Sequence, residues 1–302
     1  MTKSIRELIV VVGATGSGKT SLSIALARHF GAPIISTDSR QFYRGIPIGT
    51  AQPTVEELTM AEHHFIACRE LNEDFNAGAY EVEALERLEQ LFEANERVVA
   101  VGGSGLYIKA LCEGLDSLPD CDPELRADIR RRYNQDGLEP LLDELKRLDP
   151  EYWASVDRCN PARVMRGLEL CLTSGMPCSQ LRTGEVKRRN FRIIKVGIDI
   201  PREELYERIN RRVDDMIAEG LESEVRNVYP LRSLNSLQTV GYRELFDYMD
   251  GIISRDEAIE LIKRNSRRYA KRQMTWFRRD ADIEWFASPE AQPVIRFIES
   301  LQ

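Results

Sequence analysis

Residues 13–20 read Gly13-Ala14-Thr15-Gly16-Ser17-Gly18-Lys19-Thr20, the pattern G-x-x-x-x-G-K-[ST]. No other feature restricts the fold as strongly. Such a loop works only between a buried strand and the N-terminus of a helix. There the glycines let the backbone curl until its N–H groups point at phosphate oxygens, and the helix end adds partial positive charge. Both flanks are present. Residues 8–12 are a short apolar run, and Leu22, Leu26 and Phe30 recur at helical spacing. All eight loop residues are candidate phosphate ligands, with Lys19 as a point charge and Thr20 as a ligand for Mg²⁺. The motif places a phosphate chain without saying that it belongs to ATP.

Strand and helix signals alternate beyond the loop. Residues 32–37 contain a second strand that ends at Asp38. Val82, Leu85, Leu88 and Phe92 mark an amphipathic helix, and residues 97–101 a third strand entering Gly102-Gly103-Ser104-Gly105. This order predicts a parallel sheet with crossover helices. The pattern changes near Leu115. Residues 116–190 carry only helical runs (Leu125/Ile129, Leu138/Leu141/Leu145/Leu148, Val164/Leu168/Cys171), and residues 191–200 return as a strand closed by Pro201. Leu205, Ile209, Val213 and Met216 mark a further helix, and residues 256–277 a long one. The expected fold is α/β, a P-loop NTPase-like parallel sheet core (residues 1–115 plus 191–302) with a helical insertion domain (residues 116–190).

The residues at the strand ends narrow the chemistry. In P-loop ATPases a second strand commonly ends in an acidic metal ligand. The third strand here ends in glycines, and Asp38 is the one carboxylate at a strand end. Asp38 is then a metal-site carboxylate, a general base beside the phosphates, or a helix-capping residue. Residues 102–105 are a tight turn or a place of close ligand approach, with the Ser104 hydroxyl as a donor.

Acidic residues exceed basic ones, 49 to 42, so a uniformly basic nucleic-acid coat is excluded while a local patch is not. Residues 263–279 supply such a patch: eight Lys and Arg, no Asp or Glu, and Tyr269, Trp276 and Phe277 interleaved. Arg264, Arg268 and Arg272 fall on one stripe of that helix. Lys187, Arg188 and Arg189 form a second cluster. No apolar run approaches the roughly 20 residues of a spanning helix. The six cysteines are scattered and form no C-x-x-C pair. His63 and His64 lack the spacing of a zinc site. A cytoplasmic, reduced chain with no membrane contact is expected.

In order and spacing, these blocks resemble the tRNA dimethylallyltransferases. The likeness runs from the phosphate loop through Asp38-Ser39-Arg40-Gln41-Phe42-Tyr43, residues 48–53 and residues 102–111. It continues through residues 163–169, Val240-Gly241-Tyr242-Arg243-Glu244-Leu245 and residues 269–277. The resemblance implies that the loop holds the pyrophosphate of dimethylallyl diphosphate and that the acceptor is the N6 amine of the adenine 3′ of the anticodon. It makes Asp38 the general base and Arg212 the arginine that steadies the pyrophosphate. Ser104 takes the place of a catalytic hydroxyl that is more usually threonine. It also implies tRNA contacts at Asp38, Ser39, Arg40, Gln41, Ser104, Arg126, Ala162, Arg163, Val164, Met165, Arg166, Thr239, Val240, Gly241, Tyr242, Arg243 and Glu244. Mg²⁺ is the implied cofactor, the anticodon stem-loop of tRNA the implied partner, and a monomer the expected state. The competing readings are a P-loop small-molecule kinase with a helical lid, an isopentenyltransferase acting on free adenine nucleotides, and a non-catalytic RNA-binding regulator.

Overall fold

The computed structural model describes residues 6–301. Its sheet has six parallel strands: β1 (Glu7–Gly13), β2 (Ile34–Ser36), β3 (His63–His64), β4 (Arg97–Val101), β5 (Arg192–Ile198) and β6 (Ile283–Phe286), in the spatial order β3-β2-β4-β1-β5-β6. β1 is central and wholly buried, which explains its unbroken aliphatic sequence. Its side chains alternate between faces. Leu8, Val10 and Val12 join the core that contains Tyr80, Leu88 and Leu245, and Ile9 and Val11 join the one that contains Leu22, Leu26 and Ile295. Each such fully buried leucine or valine contributes about 1.5–3 kcal/mol relative to exposure.

The sequence pattern located β1, β2, β4 and β5 but not β3 or β6. β3 is two residues long, and β6 is a four-residue edge strand; neither is long enough to show a period. Helix Ala77–Ala94 is also turned from its expected face. Val82 is 59% exposed, and the buried stripe runs through Tyr80, Ala84, Leu88, Leu91 and Phe92. Tyr80 sets that rotation: its ring stacks on Phe42 at 5.3 Å and its hydroxyl donates to Ser36 O at 3.0 Å.

The chain divides into two compact units, Met1–Glu113 with Arg188–Gln302, and Gly114–Lys187. The second contains helices Pro123–Asp136, Glu139–Leu148, Pro150–Ser155, Pro161–Ser174 and Cys178–Leu181. They surround a separate core of Ile129, Leu141, Leu145, Val164, Leu168 and Cys171. Asp149 ties this core together: it caps Tyr152 N–H (2.9 Å) and accepts from the Ser179 N–H (2.7 Å) and hydroxyl (2.9 Å). Val164, expected at an RNA surface, is fully buried here and offers RNA nothing. Its neighbours Ala162 and Arg163 are exposed, because a helix turns successive side chains by about 100°. Glu169 takes both Arg126 (3.4 Å) and Arg166 (3.0 Å). Among the described residues no helix is long and apolar enough to cross a membrane.

Candidate active site

Strand order assembles the site. β2, β4 and β1 are neighbours, so Asp38, the turn at residues 102–105 and the phosphate loop emerge side by side from the carboxyl ends of the sheet. Gly16 and Gly18 take positive φ (80° and 93°), and a Cβ on Gly18 would lie 2.8 Å from Pro289 Cβ. Gly102 packs so tightly that a Cβ there would strike the Thr37 hydroxyl.

Gln273, from helix Arg255–Phe277, joins two of these loops. Its side chain accepts from Thr15 N–H (2.9 Å) and donates to Gly103 O (2.9 Å). A side chain at Gly103 would collide with that amide. The sequence singled out neither Gln273 nor this strut, although a glutamine among Ala270, Met274 and Phe277 on the buried face was a visible signal.

Asp38 is held by its own loop. Its Oδ1 accepts from Arg40 N–H at 3.0 Å and its N–H donates to Ser36 Oγ at 3.2 Å. Oδ2 has no hydrogen-bond partner among the described residues. Arg212, from helix Arg202–Ala218, reaches Thr15 Oγ1 at 3.5 Å. Burial lowers the Arg212 pKa below its ordinary value, and the Asp38 carboxylate opposes the shift.

Lys19 donates to Ala14 O at 2.6 Å. Burial, then the charge of Arg212, push its ammonium down to about 7 against the upward pull of Asp38. A bound diphosphate must reverse this, so binding above pH 7 draws in a proton. At about pH 8, calorimetry in buffers of different ionisation enthalpy should show up to about one more proton taken up by the wild type than by Lys19→Met on binding pyrophosphate without metal. Near pH 6 the difference should shrink, because Lys19 is already charged. Equal uptake by the two proteins at pH 8 would mean that Lys19 is charged in the empty loop.

Thr15, Asp38 and Arg212 open on a cleft of about 380 Å³. Thr15, Asp38, Arg40, Arg212, Arg243 and Arg272 give it a polar side. Ile209, Val213, Met216, Leu221, Val240 and Ile262 give it an apolar one. The apolar wall was missed in the sequence because Ile209 and Val213 read simply as core positions. Tyr269 also lines the cleft. Burial and the nearby Asp38 push its phenol up to about 12, and a hydrogen bond to Ser104 pulls the other way.

Several expected contacts are corrected by burial. Ser104 is 8% exposed. Its hydroxyl accepts from Ser39 N–H (3.0 Å) and donates to Ser39 Oγ (3.1 Å), so it braces the Asp38 loop. The Gln41 amide donates to Ala51 O (2.7 Å) and its oxygen accepts from Ser36 Oγ (3.1 Å), which turns it into the fold. Tyr242 is fully buried and donates to Glu224 at 2.5 Å. Glu224 in turn accepts from Ile48 and Gly49 N–H, each at 2.8 Å. Glu244, 4% exposed, accepts from Gly241 N–H (2.8 Å) and Asn265 (2.7 Å). Tyr242 and Glu244 therefore shape the loop that presents Thr239, Val240, Gly241 and Arg243 to the cleft and do not themselves line it.

Fold and site define a phosphate-loop α/β protein whose cleft suits a ligand with an anionic head and an apolar tail. The chain belongs to the IPP transferase family, whose profile matches residues 41–280. It is 51% identical over 284 residues to tRNA dimethylallyltransferase 2 of Porphyromonas gingivalis (94% of each chain). It is 48% identical over 295 residues to the tRNA dimethylallyltransferase of Cytophaga hutchinsonii (98% of this chain, 97% of the relative). Its fold matches the crystal structure of a full-length tRNA isopentenylpyrophosphate transferase from Bacillus halodurans with a TM-score of 0.73 and 35% identity, over 98% and 96% of the two chains. The expected fold class and family resemblance are borne out.

Proposed function

We propose that this protein transfers the dimethylallyl group of dimethylallyl diphosphate to the N6 amine of the adenosine 3′ of the anticodon in tRNA. The observation that carries the reading is the cleft itself: a phosphate loop, a carboxylate with a free oxygen and an apolar wall around one space. The diphosphate sits on the loop N–H groups, Lys19 and Arg212, and the C5 tail lies along Val213, Met216 and Ile262. As the allylic C–O bond breaks, these donors take up the charge growing on the departing pyrophosphate. The N6 amine forms the new C–N bond and its proton passes to Asp38 Oδ2. An adenine amine is a weak nucleophile, so alignment and proton removal both matter.

The same site suits a hard divalent cation such as Mg²⁺. The Thr20 hydroxyl makes no hydrogen bond among the described residues, the Ser17 hydroxyl is buried without a partner, and the available donors are oxygens. Thr20 would hold the ion against the diphosphate, where it would offset the charge of the leaving group.

Incubation with dimethylallyl diphosphate, Mg²⁺ and unmodified tRNA should add one isopentenyl group to adenosine, read by nucleoside mass analysis. Transfer to AMP in preference to tRNA, or phosphoryl transfer from ATP, would replace this reading.

RNA binding rests on local charge. Lys263 is paired with Asp214, Arg278 with Asp199, and Arg267 is bonded to Asn210, so these cations serve the fold. Arg264 and Arg268 are exposed and form no ion pair among the described residues. Replacing both by Gln should flatten the slope of log affinity for tRNA against log salt by about 1–2 units, at roughly 0.7–0.9 for each phosphate that is no longer neutralised. Affinity for dimethylallyl diphosphate should not change. An unaltered slope in a folded variant would put the RNA on another surface.

A further inference from the structure

Helix Arg255–Phe277 carries one exposed stripe at four-residue spacing: Arg264, Arg268, Arg272 and Trp276. Three recesses lie along it. Arg264 lines one of about 400 Å³ together with Arg232 and Arg243, and with the carboxylates of Glu244 and Asp247. Arg272 lines the catalytic cleft. Trp276 lines a third, of about 440 Å³, with Lys109 and Arg279; the acids there are Glu113 and Asp280, both paired with Lys195, and Asp282. From Arg264 to Trp276 the helix rises about 18 Å, several times the 3.4 Å step between stacked bases.

We infer that this stripe is the track of a single-stranded segment of the RNA substrate, and that Trp276 is the platform on which a base flanking the reacting adenine stacks. The inference rests on the tRNA reading above.

Three observations select this occupant. In a chain with 49 acidic against 42 basic residues, Arg264, Arg268, Arg272, Lys109 and Arg279 form no ion pair among the described residues. Cations left unpaired amid excess carboxylate, on one face, suit a polyanion. Trp276 is 38% exposed, whereas the neighbouring Phe277 is buried. The Trp276 ring is also fixed in place: it packs against Gly105 so closely that a side chain there would overlap its pyrrole edge. A fixed, half-exposed indole flanked by Lys109 and Arg279 offers stacking to a base and charge to its phosphates, the combination used for unpaired nucleic-acid strands.

Beside the cleft mouth at Arg272, such a platform would hold the strand while the target base turns inward. Stacking on the indole would offset part of the cost of unstacking that base.

The test compares Trp276→Leu, which keeps an apolar cover over Gly105, with Trp276→Phe, which keeps a ring. Loss of one base–aromatic stack should raise the KM for tRNA by roughly 5- to 100-fold in Trp276→Leu and much less in Trp276→Phe. The KM for dimethylallyl diphosphate should stay within about twofold of wild type in both. An anticodon stem-loop with 2-aminopurine beside the target adenine should be quenched on binding wild type and Trp276→Phe, and not Trp276→Leu. Should Trp276→Leu fail to fold, the Lys109→Ala/Arg279→Ala double variant should still weaken stem-loop binding.

Wild-type tRNA modification with equal tRNA KM in all these variants would make Trp276 a packing residue and overturn the track while leaving the proposed function standing. Failure of the wild type to modify tRNA would remove the function first, and the track with it.

Discussion

Asp38→Ala should bind both substrates close to normally yet turn over about 10²- to 10⁴-fold more slowly, the usual range for loss of a general base. The carboxylate is anchored through Oδ1 to Arg40 N–H at 3.0 Å, so the loop retains other supports when it is removed: Ser39 N–H still bonds Ser104 at 3.0 Å. What disappears is Oδ2, the oxygen with no partner among the described residues, and with it the proposed acceptor for the amine proton. The effect should fall on single-turnover transfer and not on the KM for tRNA. Asp38→Asn is the sharper probe, because it keeps the shape and hydrogen bonds while removing the basicity. Single-turnover rates near wild type in both variants would take Asp38 out of the mechanism.

Arg212→Met should cost roughly 10²- to 10³-fold in kcat/KM, the range seen when one donor to a developing anion is removed. The guanidinium bonds Thr15 of the loop at 3.5 Å and lines the cleft. It also depresses Lys19, second only to burial. The variant should therefore change a second, independent quantity: the Lys19 ammonium should titrate at higher pH, and proton uptake on pyrophosphate binding should begin at higher pH than in the wild type. Lost activity with an unmoved uptake profile would mean that Arg212 acts on the substrate without sensing Lys19. An unmoved profile together with full activity would remove Arg212 from the site.

Much of this architecture was written locally. The phosphate loop is a steric statement: glycines at 13, 16 and 18, a strand before and a helix after, admit few backbones. Four strands and the main helices declared themselves by apolar period, because each buries a face against the same sheet. The helical unit was legible for the same reason, with Ile129, Leu141, Leu145 and Val164 all in its core. Asp38 could be named from the block it sits in, and Arg212 only from the family resemblance.

Only the tertiary structure decided which of these residues meet. Periodicity reports which face of an element is buried, never what covers it. Hence the order β2-β4-β1, which sets Asp38 beside the loop, was not readable from any one strand. The same blindness hid Gln273, whose partners Thr15 and Gly103 lie 258 and 170 positions away. It also put Val164, Tyr242 and Glu244 on an expected RNA surface. Their side chains are buried because neighbouring elements close over them, and a motif block records that a residue is needed without recording whether it touches the ligand or holds the residue that does.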